Sequence, residues 1–373
     1  MAESFKVTPW EVEGKVDYDR LIQEFGTTVI DDALKERIKK DFGELHTFLR
    51  RNIFFSHRDF NLILDALENN KKFYLYTGRG PSGNTHLGHI LPWIFTKYIQ
   101  DRTGATLLFQ LTDDEKFYFK EELTLEETKK MAYENILDII ALGFTPEKTK
   151  IFLDTEYIKT LYPIAAKVAK KITFSTVKAV FGMENSNNIG EIFYTALQSA
   201  PAFLPTLMEE KETPVLIPCG IDQDPHFRIC RDVAPKLNFP KPSLLHCKLF
   251  PSLQSAETKM SASMPETSVF TTDTPKIAKK KIMNAFTGGA VSVEEQRKYG
   301  GRPDVCSVFA YYQFMFESID EKLREREENC RSGKILCGEC KIELTERVLE
   351  FLKRHQEKRE KARDIVEKYM LRD

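Results

Sequence analysis

Several things are missing from this chain, and each absence narrows it. No run approaches the ~20 apolar residues that a membrane-spanning helix needs. The start, Met1-Ala2-Glu3-Ser4-Phe5-Lys6, has neither the basic flank nor the apolar stretch of a secretion signal. A cytoplasmic protein with no membrane contact is the expectation. A surplus of charge is missing too: 55 basic against 56 acidic side chains leave a net charge of −1. Composition therefore carries no nucleic-acid signature, and any such contact must use local patches. No internal repeat or low-complexity tract is present, which excludes solenoids and biased disordered segments. The seven cysteines in 373 residues, without a secretion signal, read as reduced thiols rather than a disulfide framework.

What is present is apolar content, 42% of the chain, enough for two or three domains with a sizeable core. Residues 1–70 are polar and mixed, with an extended piece at Phe5 to Val12 and helical patterning at Tyr18 to Phe25 and Leu34 to Leu49. From Phe73 the pattern becomes β–α alternation. Apolar runs at Phe73 to Tyr76, Thr106 to Leu111, Lys150 to Leu153, Pro214 to Pro218 and Ser243 to His246 predict buried strands, with helices such as Leu125 to Leu142 between them. That alternation implies an α/β fold with a doubly wound parallel sheet. Beyond Asp273 only helical periodicity remains, at Ser307 to Glu327 and Lys341 to Met370.

Two short motifs lie about 170 residues apart. The first, Thr77-Gly78-Arg79-Gly80-Pro81-Ser82-Gly83-Asn84-Thr85-His86-Leu87-Gly88-His89, joins a strand to a helix start. Its glycines let backbone pass close to a ligand, and a helix start favours negative charge, so the junction reads as a phosphate site. His86 and His89 are three apart and share one helical face. Gly88 leaves room there for a flat group such as a base. Gly78 to Gly83 also matches G-x-G-x-x-G, a dinucleotide fingerprint with Asp113 or Asp114 as the ribose acid, but that leaves the histidines unexplained. The second motif is Lys259-Met260-Ser261-Ala262-Ser263. His46, His57, His246 and His355 read as structural or solvated.

The HxGH pattern followed by KMSAS resembles the two signatures (HIGH and KMSKS) of class I aminoacyl-tRNA synthetases. Ala262 stands where KMSKS has its second lysine, leaving Lys259 as the motif's one cation. Pro9-Trp10, Tyr18 to Ile22, Phe54 to Asp59, Tyr74 to Pro81, Gln110 to Lys116 and Ile221 to Pro225 resemble the tryptophanyl-tRNA synthetase family in its eukaryotic and archaeal form. The resemblance implies a Rossmann-like catalytic domain over 71–272 with a connecting insertion at about 155–212. Residues 1–70 would be an N-terminal extension and helices, and 273–373 a helical anticodon-binding domain. It implies ATP with Mg²⁺ as substrate complex, L-tryptophan and tRNA(Trp) as partners, and a homodimer.

The resemblance also assigns roles. His86 and His89 would contact the phosphates, and Lys259 would balance charge on the leaving pyrophosphate. Arg79, Gly80, Gly88, Met260 and Ser261 would border the nucleotide, Arg79 being either a second cation or a turn residue. Tyr76 and Gln110 would read the indole nitrogen, and Glu115 the ammonium, with Thr112, Gln198, Gln223 and Phe227 lining the amino-acid site. Asp113 and Asp114 are either helix caps or ligand contacts. The chemistry agrees: indole is a large apolar body with one N–H donor, so a selective pocket needs aromatic walls and a well-held acceptor. The small polar segment around Lys259 is expected to move. Pro9 to Val12 resembles an extension that folds over the active site.

Lys353, Arg354, Lys358, Arg359 and Arg363 alternate with Glu357, Glu360 and Asp364, and read as a solvated face. Cys306, Cys330, Cys337 and Cys340 have the spacing C-x23-C-x6-C-x2-C, which suits zinc or an iron–sulfur cluster, or is a set of buried free thiols. Two rivals stand beside tryptophan activation: tyrosine activation, and a non-catalytic paralogue that only binds.

Overall fold

The structure, a computed structural model, describes residues 5–7, 9, 12–14, 16–260 and 264–373, without the side chains of Lys6 and Glu13. The five apolar runs become strands as their pattern implies: β5 (Tyr74–Arg79), β6 (Thr106–Leu111), β7 (Thr149–Leu153), β8 (Val215–Gly220) and β9 (Ser243–Cys247). All their mutual pairings are parallel. Four short strands precede them. β1 (Lys6–Val7) and β2 (Val12–Glu13) form a separate antiparallel pair. β3 (Thr28–Val29) and β4 (Phe54–Arg58) join the main sheet antiparallel, in the order β3-β4-β9-β8-β5-β6-β7.

β4 was not legible as a strand because its polar half has buried partners. The Ser56 hydroxyl lies 3.0 Å from His246 Nδ1, and Arg58 donates to the buried Asp224 carboxylate at 2.7 and 2.8 Å. A charge in a strand reads as solvent-facing until its partner, here from residue 224, is known.

Alternate strand residues feed two cores. Leu75, Leu107, Phe109, Ile151 and Leu216 enter one, with Leu91, Trp93 and Ile136 from the helices Leu87–Thr103 and Leu125–Ala141. Tyr76, Leu108, Phe152, Val215 and Ile217 enter the other, with Leu161, Ala196, Phe203 and Phe227. The sheet is therefore covered on both faces, as an all-buried parallel centre requires.

After β5 the chain builds outward through β6 and β7, then returns to lay β8 on the other side of β5. The crevice at the C-terminal ends of β5 and β8 is thus the topological switch point, where such sheets bind ligands. The outer edge at β7 is closed by the chain's own end: Ile151 N–H donates to Tyr369 O at 2.8 Å and Leu371 N–H to Ile151 O at 2.7 Å.

Beyond Asp273 the described residues form helices, including Pro275–Met283, Asp320–Arg331 and the long Cys337–Ala362. Leu344, Val348 and Leu352 of the last join the same core as the sheet. The helical pattern of 34–49 divides at Gly43, whose φ of 82° ends Asp32–Phe42 before a short turn at Thr47–Arg50.

Candidate active site

A cavity of about 290 Å³ opens at the switch point. Arg79, Gly80, His86, Gly88, His89, Thr112, Glu115, Gln198, Gln223, Phe227, Lys259 and Met260 all line it. Tyr76 and Gln110 lie beneath its floor, fully buried. Ser261, like Trp10 and Glu11, lies outside the described residues.

The glycine-rich loop is built from within. Arg79 ends β5 and turns inward: its Nε donates to Asn135 Oδ1 at 2.5 Å and one Nη to the carbonyls of Gly83 and Asn84 at 3.2 Å. Asn135 Nδ2 also donates to Gly83 O at 2.9 Å. Arg79 is therefore a buried, not a solvated, turn residue, and burial lowers its pKa to about 10; two of its five N–H groups go to the loop and one to Asn135, while Nη1 has no hydrogen-bond partner among the described residues. Gly80 lets two side chains come close: a Cβ there would meet Glu115 Oε2 at 2.4 Å and Lys116 Cε at 2.7 Å.

His86 and His89 stack, with ring centroids 3.5 Å apart and planes at 23°. His89 Nδ1 accepts the His86 backbone N–H at 3.2 Å, fixing the second ring at the helix start. Burial, reinforced by Arg79, pushes the His86 pKa down to about 3 and that of His89 well below its ordinary value. Both imidazoles are therefore neutral at pH 7, so they offer N–H donors rather than cations. The space freed by Gly88 is taken by the His86 ring, 3.1 Å from where a Cβ would stand, and by Phe250. Gly88 itself lines the cavity, and a side chain there would press on the His86 ring.

Lys259 reaches the same cavity from a narrow loop, closed where Met260 N–H donates to Phe250 O at 3.0 Å and Ser252 N–H to Thr258 O at 2.7 Å. Its ammonium sits 3.3 Å from Asp222, in the turn after β8. Met260 is buried in the core, where it anchors the loop. The segment that follows binds the histidine turn: Leu87 N–H donates to Val269 O at 3.1 Å, and Thr271 N–H to Thr85 O at 2.9 Å.

On the other side, Glu115 accepts from Lys116 Nζ and from the Thr112 hydroxyl, both at 2.7 Å. Burial works against its charge, but Lys116 and Thr112 outweigh burial and hold the carboxyl below its ordinary pKa. It stays an anion, suited to an ammonium. Under the floor, the Tyr76 hydroxyl donates to Gln110 Oε1 at 2.5 Å and Gln198 Nε2 approaches it at 3.4 Å. The Phe227 ring stands edge-on to Tyr76, centroids 5.9 Å apart. Gln223 Nε2 donates to Pro9 O at 3.5 Å, which brings the N-terminal segment to the rim.

Some residues were missed. Lys116, Tyr194, Asp222 and His226 line the cavity, and Asn135 and Asp154 support it from behind. Tyr194 was findable as the residue one helical turn before Gln198. Asp154 was findable as the carboxylate that ends the run Lys150 to Leu153. Asp113 and Asp114 do not line the cavity. Asp113 accepts from Thr155 N–H at 3.1 Å, and the helix-cap position belongs to Thr112.

The four structural histidines have such roles: His46 and His57 accept backbone N–H groups of Phe48 and Phe60, His246 lies 3.1 Å from Asp224, and His355 lies 2.9 Å from Asp138. Arg359 departs from the solvated face: it is buried, because its side of the helix packs on Leu125–Ala141. Cys306, Cys330, Cys337 and Cys340 do line one small cavity of about 20 Å³. Yet among the described residues no group of three or more His, Cys, Asp or Glu side chains is disposed to hold a metal ion. Cys306 accepts the Phe309 N–H, Cys337 pairs with Gln296, and Cys340 faces Arg326. Zinc or iron–sulfur ligation is therefore unsupported by this arrangement. Among the described residues no helix is long and apolar enough to cross a membrane.

The chain is 51% identical over 371 residues to the tryptophan–tRNA ligase of Pyrobaculum aerophilum, covering 100% of this chain and 98% of that protein. It is 53% identical over 371 residues to the same-named protein of Pyrococcus furiosus, covering 99% and 94%. Among solved structures, the tryptophanyl-tRNA synthetase of Plasmodium falciparum superposes with a TM-score of 0.89 at 39% identity, over 95% of this chain and 97% of that one. Residues 68–353 match the family described as tRNA synthetases class I (W and Y), and the chain belongs to that family.

Proposed function

We propose that this chain is a tryptophan–tRNA ligase. The carboxylate of tryptophan attacks the α-phosphorus of ATP: a bond from carboxylate oxygen to phosphorus forms, and the bond to the bridging oxygen breaks. Pyrophosphate leaves with that electron pair as its Mg²⁺ complex. A terminal-ribose hydroxyl of tRNA(Trp) then attacks the carbonyl carbon of the adenylate: the ester bond forms, the bond from that carbon to the phosphate oxygen breaks, and AMP leaves with the electron pair while the hydroxyl proton passes to its phosphate. Such a transfer needs positioning and charge stabilisation more than covalent participation.

The observation that carries this is convergence: two neutral imidazoles, one ammonium from the loop before residue 260 and one buried carboxylate face a single cavity above the Tyr76–Gln110 pair. His86 and His89 donate to phosphate oxygens, and Lys259 exchanges Asp222 for the pyrophosphate as charge develops there. Glu115 takes the substrate ammonium. Thr112 and Lys116 hold Glu115, while Gln198, Gln223 and Phe227 border the amino acid. Arg79, Gly80, Gly88 and Met260 shape the nucleotide side, and Ser261 belongs to the same loop by resemblance.

The domain reading keeps 1–70 as N-terminal extension, 71–272 as catalytic domain with the insertion at about 155–212, and 273–373 as the anticodon-binding domain. A cytoplasmic homodimer completes it. The narrower cofactor reading, zinc or an iron–sulfur cluster on Cys306, Cys330, Cys337 and Cys340, rests on the four thiols sharing one cavity. Binding would require Cys337 and Cys340 to leave Gln296 and Arg326. Metal analysis of anaerobically purified protein tests it, stoichiometric iron or zinc supporting it and neither removing it.

The main test is amino-acid-dependent exchange between pyrophosphate and ATP with tryptophan, tyrosine and phenylalanine in parallel. Exchange with tryptophan alone is expected. Exchange with tyrosine would overturn the pocket assignment, and none with any amino acid would favour a binding protein.

A further inference from the structure

A fully buried carboxyl behind the pocket has no part in the reaction described so far. Asp154 follows β7 immediately, and its own N–H is fixed to Leu111 O at 3.1 Å. Its two oxygens lie 2.8 and 3.0 Å from Gln110 Nε2. Gln110 Oε1 then faces the other way and accepts the Tyr76 hydroxyl hydrogen at 2.5 Å.

A phenol has one hydrogen to give. Once it is committed to Gln110, the Tyr76 oxygen has only lone pairs to offer the cavity above. Gln198 preserves this polarity from the side. Its Oε1 is taken by the Tyr194 hydroxyl at 2.7 Å, which leaves its nitrogen to face Tyr76 at 3.4 Å. If the Gln110 amide were reversed, its nitrogen would donate to Tyr76, freeing the phenol hydrogen to point at the ligand. Its oxygen would then meet the Asp154 carboxyl lone pair to lone pair. The two settings of one buried amide thus give pockets of opposite hydrogen-bond sense.

We propose that Asp154 is a specificity-determining positioning residue: by holding Gln110 with its nitrogen turned from the pocket, it makes Tyr76 an acceptor toward the ligand and selects an amino acid whose ring carries an N–H donor. This rests on tryptophan being the substrate and deepens that reading. Burial pushes the Asp154 pKa well above its ordinary value and that of the neighbouring Asp114 to about 7. The acceptor role toward Gln110 rests on the geometry, both Asp154 oxygens lying within 3.0 Å of Nε2.

The test is pyrophosphate exchange with tryptophan and with its analogue in which sulfur replaces the ring N–H. Asp154→Asn keeps the shape but presents an amide that satisfies either setting of Gln110. In that variant the ratio of kcat/KM for tryptophan over the analogue should fall by at least about tenfold, the worth of one well-placed buried hydrogen bond. The fall should come through KM for tryptophan, with KM for ATP and the analogue's kcat/KM unchanged within about twofold. Asp154→Ser, which leaves room for a water, covers the case in which the first variant does not fold. An unchanged ratio, or equal loss for both amino acids, overturns the proposal. Wild-type protein without tryptophan-dependent exchange would instead overturn the substrate reading, so the two failures are distinct.

Discussion

Arg359 Nε donates to Asp138 Oδ1 at 2.9 Å, joining two buried side chains 221 residues apart. His355 Nε2 reaches the same oxygen at 2.9 Å. Arg359 also donates to Glu134 O at 2.9 Å. Asp138 sits one turn beyond Asn135, which holds Arg79 and Gly83, so the long C-terminal helix braces the glycine-rich loop from behind.

Arg359→Ala would leave that buried carboxylate with His355 alone, at a cost of about 1.5–3 kcal/mol. Urea unfolding should show the loss. The double variant Asp138→Asn with Arg359→Met, which leaves no unpaired charge, should recover most of it. Burial pushes the Asp138 carboxyl up, but His355 and Arg359 outweigh burial and hold its pKa below the ordinary value. Its contribution is therefore present at neutral pH and disappears as pH falls below about 4.

Buried imidazoles set a second, higher window. Burial lowers the pKa of His46 and His226 to about 4 and of His86 to about 3. The unfolded chain binds protons at these positions below about 6.5 while the folded one does not. Melting temperature should hold above pH 6.5 and fall steadily as pH drops toward 4. The same neutrality predicts no limb near pH 6.5 in kcat/KM that His86→Asn abolishes.

Lys259→Ala removes the one cation of its loop. Pyrophosphate exchange should drop by ~10²–10³-fold in kcat, the scale seen when a transition-state donor is lost. Tryptophan binding followed by calorimetry should change little, because Lys259 pairs with Asp222, whereas Glu115 is held by Thr112 and Lys116.

Gly80→Ala sets a Cβ against Glu115 Oε2 and Lys116 Cε. Both atoms end flexible side chains, so the stability cost is small, about 1 kcal/mol. Displacing the Glu115 carboxylate should nonetheless raise KM for tryptophan by about tenfold while KM for ATP stays. A variant that lost stability alone would show Gly80 to be a packing residue only.

The legible part of this protein was written in local pattern. A buried parallel strand is a continuous apolar run, so β5 to β9 could be read directly, whereas β4 could not, since its Ser56 and Arg58 look solvent-facing without His246 and Asp224. The histidine turn and the lysine loop were legible because glycines, imidazoles and one lysine at fixed spacing leave few other uses for those residues.

Position along the chain did not say which charges would be buried. The sequence by itself determined the chemical groups of the site and the strands and turns that carry them, because backbone geometry and apolar periodicity act over a few residues. Only the tertiary structure decided that His86 and His89 are neutral, that Arg79 and Arg359 brace the loop rather than meet solvent, and that Asp154 stands behind Gln110. Those outcomes depend on desolvation and on partners far along the chain, such as Asn135 for Arg79, Asp138 for Arg359 and Asp154 for Gln110, which no local pattern encodes.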